Sequence, residues 1–186
     1  FALALSIRTF AVPEVHKIFY DEDTYLEIGL QIKETGMGAP CNYNDENGCR
    51  GHGFVRWPNT YPLLLAIAYT FFGASEAIGF ALVRALSSLS VVLIFLIGYA
   101  LTKNRKIGLY SAIILAFIPV HIVWSNSAAS DAVFMFLSLA AFLFMLMAIK
   151  IKTWDMQLLS MLALAFAVYT RPEGILLVPV MLFSMA

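Results

Sequence analysis

Charge is scarce in this 186-residue chain: only 13% of residues are Asp, Glu, Lys or Arg, against 61% apolar, and the mean hydropathy is +0.81. The scarcity is uneven. Eight of the twelve acidic residues precede Arg56, and only Glu76, Asp131, Asp155 and Glu173 follow it. Ile107 to Trp124 carries no formal charge over 18 positions with His121 neutral, and Ala132 to Ile149 carries none over another 18. A membrane-crossing helix needs about 20 mainly apolar residues. Hydrocarbon offers the backbone no hydrogen-bond partner but itself, so runs of this length are helices. A soluble domain is excluded, and an all-α, polytopic transmembrane helix bundle is expected.

Cysteine is nearly absent. Cys41 and Cys49 share one loop and lack the paired C-x-x-C spacing of a zinc site. Outside the membrane two such cysteines form a disulfide, and the competing metal set would be Cys41, Cys49 and His52 with Asp45. No N-x-Ser/Thr spacing occurs. There is no initiator Met, and Phe1 to Ile7 shows neither a charged leader nor a small-residue cleavage site. These residues read as the tail of a first membrane helix, and the sequence as the N-terminal part of one longer transmembrane domain. The zero net charge says nothing about partners, because the sorting of charge between loops matters more, and no nucleic-acid partner is expected.

What is present sorts into segments. Membrane helices are expected at 76–102, 107–124, 132–149 and 156–170, with a truncated helix at 174–186. Basic residues collect in two short loops, Lys103-Asn104-Arg105-Lys106 and Lys150-Ile151-Lys152, while Ser125 to Asp131 has none. Short basic loops stay cytoplasmic. The loop at 9–58, the Ser125–Asp131 turn and the Arg171–Glu173 turn then share the extracytoplasmic side.

The outer loop holds the densest polar cluster, Phe19-Tyr20-Asp21-Glu22-Asp23-Thr24-Tyr25. Asp21 to Gly36 reads as a short helix: Asp21 or Asp23 can cap it, Thr24 and Glu27 have capping-box spacing, and Gly36 can end it. The acids could simply complement the helix dipole, at about 0.3–1 kcal/mol each, but capping accounts for one or two of them rather than a cluster beside two tyrosines. Further on, Pro62 begins an apolar stretch ending at Gly73. It suits an interfacial helix at 62–73, flanked by Trp57 and Tyr61, or the first half of a broken spanning helix.

Three charges stand inside or at the edge of the apolar runs. Arg84 is expected to face a partner or a wet cavity, or to snorkel to the headgroups. Asp131 opens a helix behind a Ser-rich turn, as a dipole partner or as a ligand for sugar or metal. Arg171-Pro172-Glu173-Gly174 separates two apolar segments. It is a plain turn, or it presents a guanidinium whose planar fork suits a phosphate.

In order along the chain, Asp21-Glu22-x-x-Tyr25, Gly36, Trp57-Pro58-x-x-Tyr61-Pro62-Leu63-Leu64, Phe72-Gly73-x-x-Glu76, Arg84, Asp131 and Thr170-Arg171-Pro172-Glu173-Gly174 resemble the GT-C membrane glycosyltransferases. The branch is the aminoarabinose-transferase-like and protein-mannosyltransferase-like one. The resemblance departs where that branch has a basic or histidine residue before two adjacent prolines; here Arg56 precedes Pro58 and Pro62. It implies an inverting transferase that takes a sugar from a polyprenyl-phosphate-linked donor to a hydroxyl of a protein, lipid or glycan acceptor. The site would face outward from the plasma membrane of a prokaryote, among membrane lipids. Carried over, Asp21 is the catalytic base, with Glu22 behind it. Tyr25, Arg56, Arg84, Asp131 and Arg171 are substrate-binding residues, and a divalent ion, Mg or Mn, is the implied cofactor. Two other classes remain open: a transporter or flippase, which would place ionisable groups near the bilayer midplane, and a non-catalytic scaffold subunit, in which the acids only cap a helix.

Overall fold

The computed structural model describes residues 1–11, 21–36 and 60–185, all of them helices and the turns between them. Arg56, Cys41, Cys49, His52 and Asp45 lie outside the described residues, as does the side chain of Asp21. The order is α1 (Ala2–Ser6, continuing as a π turn over Ile7–Ala11), α2 (Asp21–Thr35), α3 (Thr60–Phe72), α4 (Glu76–Thr102), α5 (Arg105–Phe117), α6 (Pro119–Trp124), α7 (Asp131–Ile151), α8 (Trp154–Thr170), a 3₁₀ turn (Pro172–Leu176) and α9 (Leu177–Met185).

Helix α4 is the axis. Its 27 residues span roughly 40 Å at about 1.5 Å per residue, and α1, α3, α5 and α7 all pack on it. It ends where Lys103 takes a left-handed conformation (φ 58°) and donates its N–H to the Tyr99 carbonyl at 2.8 Å. Asn104 then caps α5 by accepting from the Lys106 N–H at 2.9 Å, so the α4–α5 hairpin turns in two residues. The two helices touch through glycines. A Cβ on Gly98 would stand 3.1 Å from the Gly108 Cα, and one on Gly108 would meet the Phe95 carbonyl oxygen at 2.7 Å. Small residues at such crossings let helix backbones approach inside a membrane. Gly108→Val is expected to lower the melting temperature of the detergent-solubilised protein, at a cost of about 1–3 kcal/mol from overpacking; an unchanged melting temperature would contradict this packing.

The expected helix over 107–124 is in fact two. Pro119 has no N–H to donate and its ring disfavours the α conformation at the residue before it, and Ile118 accordingly adopts φ −63°, ψ 117°. The expected stretches 62–73, 76–102, 132–149 and 156–170 lie within a few residues of α3, α4, α7 and α8, whereas 174–186 divides between the 3₁₀ turn and α9. By length and composition α4 and α7 can each cross a membrane, whereas α3 and α8 are shorter apolar helices. Side chains such as Ile107, Ile114 and Phe117 of α5 and Phe71 and Phe72 of α3 point outward, as hydrocarbon allows.

Helices α4 and α7 run parallel: Val83, near the start of α4, packs with Ala132 and Val133 at the start of α7. Helix α8 returns antiparallel to α7, with the Ser160 hydroxyl donating to the Ala141 carbonyl at 2.9 Å. The α4 and α7 N-termini and the α8 C-terminus therefore share one end, and Lys103, Lys150 and Lys152 lie at the other. At the first end α2 and α3 lie against each other through Tyr25, Tyr61, Leu65 and Tyr69. Gly29 makes this possible, since a Cβ there would sit 2.7 Å from the Leu65 Cβ and 3.3 Å from the Pro62 carbonyl oxygen.

Candidate active site

The polar end is organised around Ser125–Ser130, the connection between α6 and α7. It was expected as an outer turn, yet every one of its residues is buried. A buried connection must find partners for its backbone and hydroxyls, and the partners come from across the molecule. The Ala128 N–H donates to Glu22 Oε1 at 2.7 Å. The Asn126 side chain donates to the Ile122 carbonyl at 3.0 Å and accepts from Arg84 Nε at 3.0 Å. The Tyr25 hydroxyl reaches Ser130 Oγ at 3.3 Å. Arg84 thus turns toward this loop, with its guanidinium carbon 5.8 Å from the centre of the Phe80 ring.

Helix α2 supplies the lid of this arrangement. Glu22, Tyr25 and Gly29 recur at i, i+3 and i+7, on one face. Glu22 is 2% exposed, and its carboxylate is committed to the loop backbone. Tyr25 stacks edge-on against Tyr61, ring centres 5.3 Å apart. The Tyr61 hydroxyl is buried with no hydrogen-bond partner among the described residues, and burial, reinforced by Tyr69, Glu22 and Tyr25, pushes its pKa up. Burial, followed by the Glu76 charge, pushes the Tyr69 phenol up to about 12. Both phenols therefore stay neutral donors at ordinary pH.

Directly after the loop, Asp131 begins α7 and forms an ion pair with Arg171, which follows the last residue of α8. Each side chain of the pair is 31% exposed. Arg171 also reaches Glu173, at 3.3 and 3.5 Å. Burial opposes the Arg171 charge. The Glu173 hydrogen bond, the Asp131 and Glu173 charges and the nearby Tyr25 outweigh it, holding the guanidinium above its ordinary pKa. Glu173 is held below the usual carboxylate range, first by its own backbone N–H and then by Arg171. A fixed, permanently charged fork with one-third of its surface open can receive an oxyanion. Beside it an apolar groove of about 260 Å³ lies at the α5–α6 break, lined by Leu115, Ile118, Val120 and Met135, with Asp131 also on its wall.

Of the residues singled out in the sequence, Glu22, Tyr25, Arg84, Asp131 and Arg171 thus converge on one loop and its flanks. Among the described residues no group of three His, Cys, Asp or Glu side chains gathers where it could hold a metal ion; Asp131, the expected ligand, is engaged by Arg171. One polar cluster had no sequence reading. Arg8 is completely buried and donates to Ser87 Oγ at 2.8 Å, to the Ala4 carbonyl at 2.9 Å and to His121 Nδ1 at 2.6 Å. Because a guanidinium only donates, His121 Nδ1 accepts and the ring proton sits on Nε2, 3.3 Å from Ser87 Oγ. This triad ties α1 and α4 to α6, and so sets the start of the loop. The signal was an arginine abutting the first apolar run and a lone histidine inside another.

A helical membrane protein with a polar, partly open cleft at one end of its bundle is the class these features define. The family model of dolichyl-phosphate-mannose-protein mannosyltransferases matches residues 57–186. The chain belongs to that family and is a membrane glycosyltransferase of the mannosyltransferase type. Comparison with curated proteins and with solved structures yields no match.

Proposed function

We propose that the protein transfers a sugar, with inversion, from a polyprenyl-phosphate-linked donor to a hydroxyl of a protein acceptor at the extracytoplasmic membrane face. The observation that carries this reading is the Asp131–Arg171 pair, whose Asp131 lines the apolar groove and stands directly after the loop that receives α2. The isoprenoid chain lies in the groove, and the phosphate comes to Arg171, whose planar fork can donate two parallel hydrogen bonds. Asp21, at the first position of α2, is the base. As the acceptor oxygen attacks the anomeric carbon, its proton passes to the Asp21 carboxylate. The sugar C–O bond to phosphate breaks, the electron pair leaves with the lipid phosphate, and Arg171 meets the growing negative charge. Glu22 is a positioning residue: its bond to the Ala128 N–H fixes α2 against the loop. Tyr25 orients the acceptor, and Arg84 braces Asn126. The outward orientation follows from the basic residues at the opposite end of α4 and α7, and an outer site in the plasma membrane of a prokaryote is consistent with it.

The test is transfer itself. The full-length protein, reconstituted in liposomes with labelled polyprenyl-phosphate mannose and a threonine peptide, is expected to yield a glycosidic product of opposite anomeric configuration to the donor, read by NMR. A product of unchanged configuration would overturn the inverting mechanism. Failure to move the sugar to any acceptor, together with measured flux of a solute, would overturn the transferase reading.

A further inference from the structure

The end of the bundle away from the cleft carries two turns, 103–104 between α4 and α5 and 152–153 between α7 and α8. They lie at one level. Val83 of α4 packs with Val133 of α7, and equal counts along these parallel helices bring α4 to 103 and α7 to 153. Lys103, Arg105, Lys106, Lys150 and Lys152 are all exposed there, against one acid, Asp155. Among the described residues none of these cations makes an ion pair, and no hydrogen bond joins one turn to the other. The basic charge at this end is therefore uncompensated.

The backbone supplies the independent observation. Lys103 (φ 58°) and Lys152 (φ 56°) are the positive-φ residues other than glycine among the described residues. Each ends a helix long enough to cross a membrane, its N–H donating at 2.8 Å to the Tyr99 or the Ala148 carbonyl. At the cleft end the same conformation, after α2 and α3, falls to Gly36 and Gly73. Glycine takes positive φ freely, whereas a Cβ is crowded there. Retention in the cytosol and the helix dipole ask only for a cation near the helix end, and Lys150, Arg105 and Lys106 already provide it. Neither asks for a lysine at the strained position, twice. Exposed apolar side chains adjoin the cations: Leu101, Ile107, Ile149 and Ile151, with Tyr110 61% and Trp154 69% exposed. Trp and Tyr mark the headgroup level of a bilayer. Ammonium groups beside open apolar surface match the two halves of an anionic phospholipid, and basic clusters next to membrane helices attract such lipids.

We propose that the α4–α5 and α7–α8 turns together bind the phosphate headgroup of an anionic phospholipid, with Lys103 and Lys152 as its chief cations and Leu101, Ile151 and Trp154 beside its acyl chains. A headgroup held by both turns links the ends of α4 and α7, whose opposite ends flank the Ser125–Ser130 loop. This site is separate from Arg171 and the donor phosphate, and it does not rest on the transferase reading.

The experiment offers the full-length protein, in micelles of a neutral maltoside detergent, equal amounts of phosphatidylglycerol and phosphatidylcholine with identical chains. Retained lipid is counted by native mass spectrometry. Phosphatidylglycerol is expected to bind at least about 25-fold more tightly, as two lysines near an anionic headgroup provide at about 5-fold each. It should also raise the melting temperature, and the preference should shrink in about 1 M salt, where the screening length is about 3 Å. Lys103→Gly/Lys152→Gly relieves the backbone, so its melting temperature without added lipid should equal or exceed that of the parent, while the preference falls by at least about 10-fold. Lys103→Arg/Lys152→Arg keeps the charge and should keep the preference. Equal retention of the two lipids by the unaltered protein overturns the proposal, and that arm needs no variant to fold. A preference that survives the glycine pair also overturns it. Inorganic phosphate that raises the melting temperature as far as phosphatidylglycerol does overturns a lipid as the ligand. Sugar transfer enters none of these arms, so each result bears on the headgroup site alone.

Discussion

Asp21→Asn is expected to reduce sugar transfer by at least 100-fold in kcat while leaving the protein folded. A positioned general base contributes about 10²–10⁴-fold, and an amide cannot accept the acceptor's proton. The substitution is otherwise mild. Asp21 opens α2, and Asn serves a helix N-terminus about as well as Asp, through the same kind of side-chain oxygen. What it loses is the dipole interaction of one negative charge, about 0.3–1 kcal/mol. A melting temperature near that of the parent protein, with transfer lost, separates chemistry from stability. Glu22→Gln gives the contrast. Its bond to the Ala128 N–H at 2.7 Å can be kept by an amide oxygen, so transfer should fall by less than about 10-fold. Substantial transfer by Asp21→Asn would remove Asp21 from the mechanism.

Arg171→Ala is expected to lower kcat/KM for the lipid-linked donor by about 10²–10³-fold, the scale seen when one donor to a developing oxyanion is removed. Two effects add. The leaving phosphate loses its cation, and the Asp131 charge is no longer offset by Arg171 as the donor comes in. The double variant Asp131→Asn/Arg171→Ala decides between a structural and a phosphate-binding role. If the pair only joins α7 to α8, removing both charges restores transfer, since the carboxylate that Arg171 offset is gone with it. If Arg171 receives phosphate, the double variant recovers the fold, read by melting temperature, but not the transfer. Arg171→Lys keeps a charge without the fork and should lie between, with the loss chiefly in kcat.

Much of this architecture was legible along the chain because its causes are local. Gly36 (φ 74°) and Gly73 (φ 89°) end α2 and α3 for the reason glycine generally does, the ease of positive φ. The charge-free runs mark α7 and most of α4 by length alone. The break at Pro119 was equally local, and the apolar run concealed it: hydropathy counts side chains, whereas the break comes from a missing N–H. The candidate residues were found by type and order, and five of them proved to be neighbours. Glu22 illustrates the limit, because nothing in Asp21-Glu22-Asp23 distinguishes the carboxylate buried against Ala128 from the exposed one of Asp23. A step of about 100° along α2 separates them, and the bundle against which the helix lies decides what each face meets.

Composition and the period of hydrophobicity were enough to make this a helical membrane protein, and the ordered motifs enough to place it among membrane glycosyltransferases. Both depend on short-range chemistry, the cost of charge in hydrocarbon and the steric habits of Gly and Pro. Only the tertiary structure joined Arg171 to Asp131 across 40 positions, Glu22 to Ala128 across 106, and Arg8 to His121 across 113. Those pairings arise from which helix faces pack together and from the cost of leaving a buried charge or backbone N–H without a partner. Each depends on all the helices at once, so it cannot be read from any one of them.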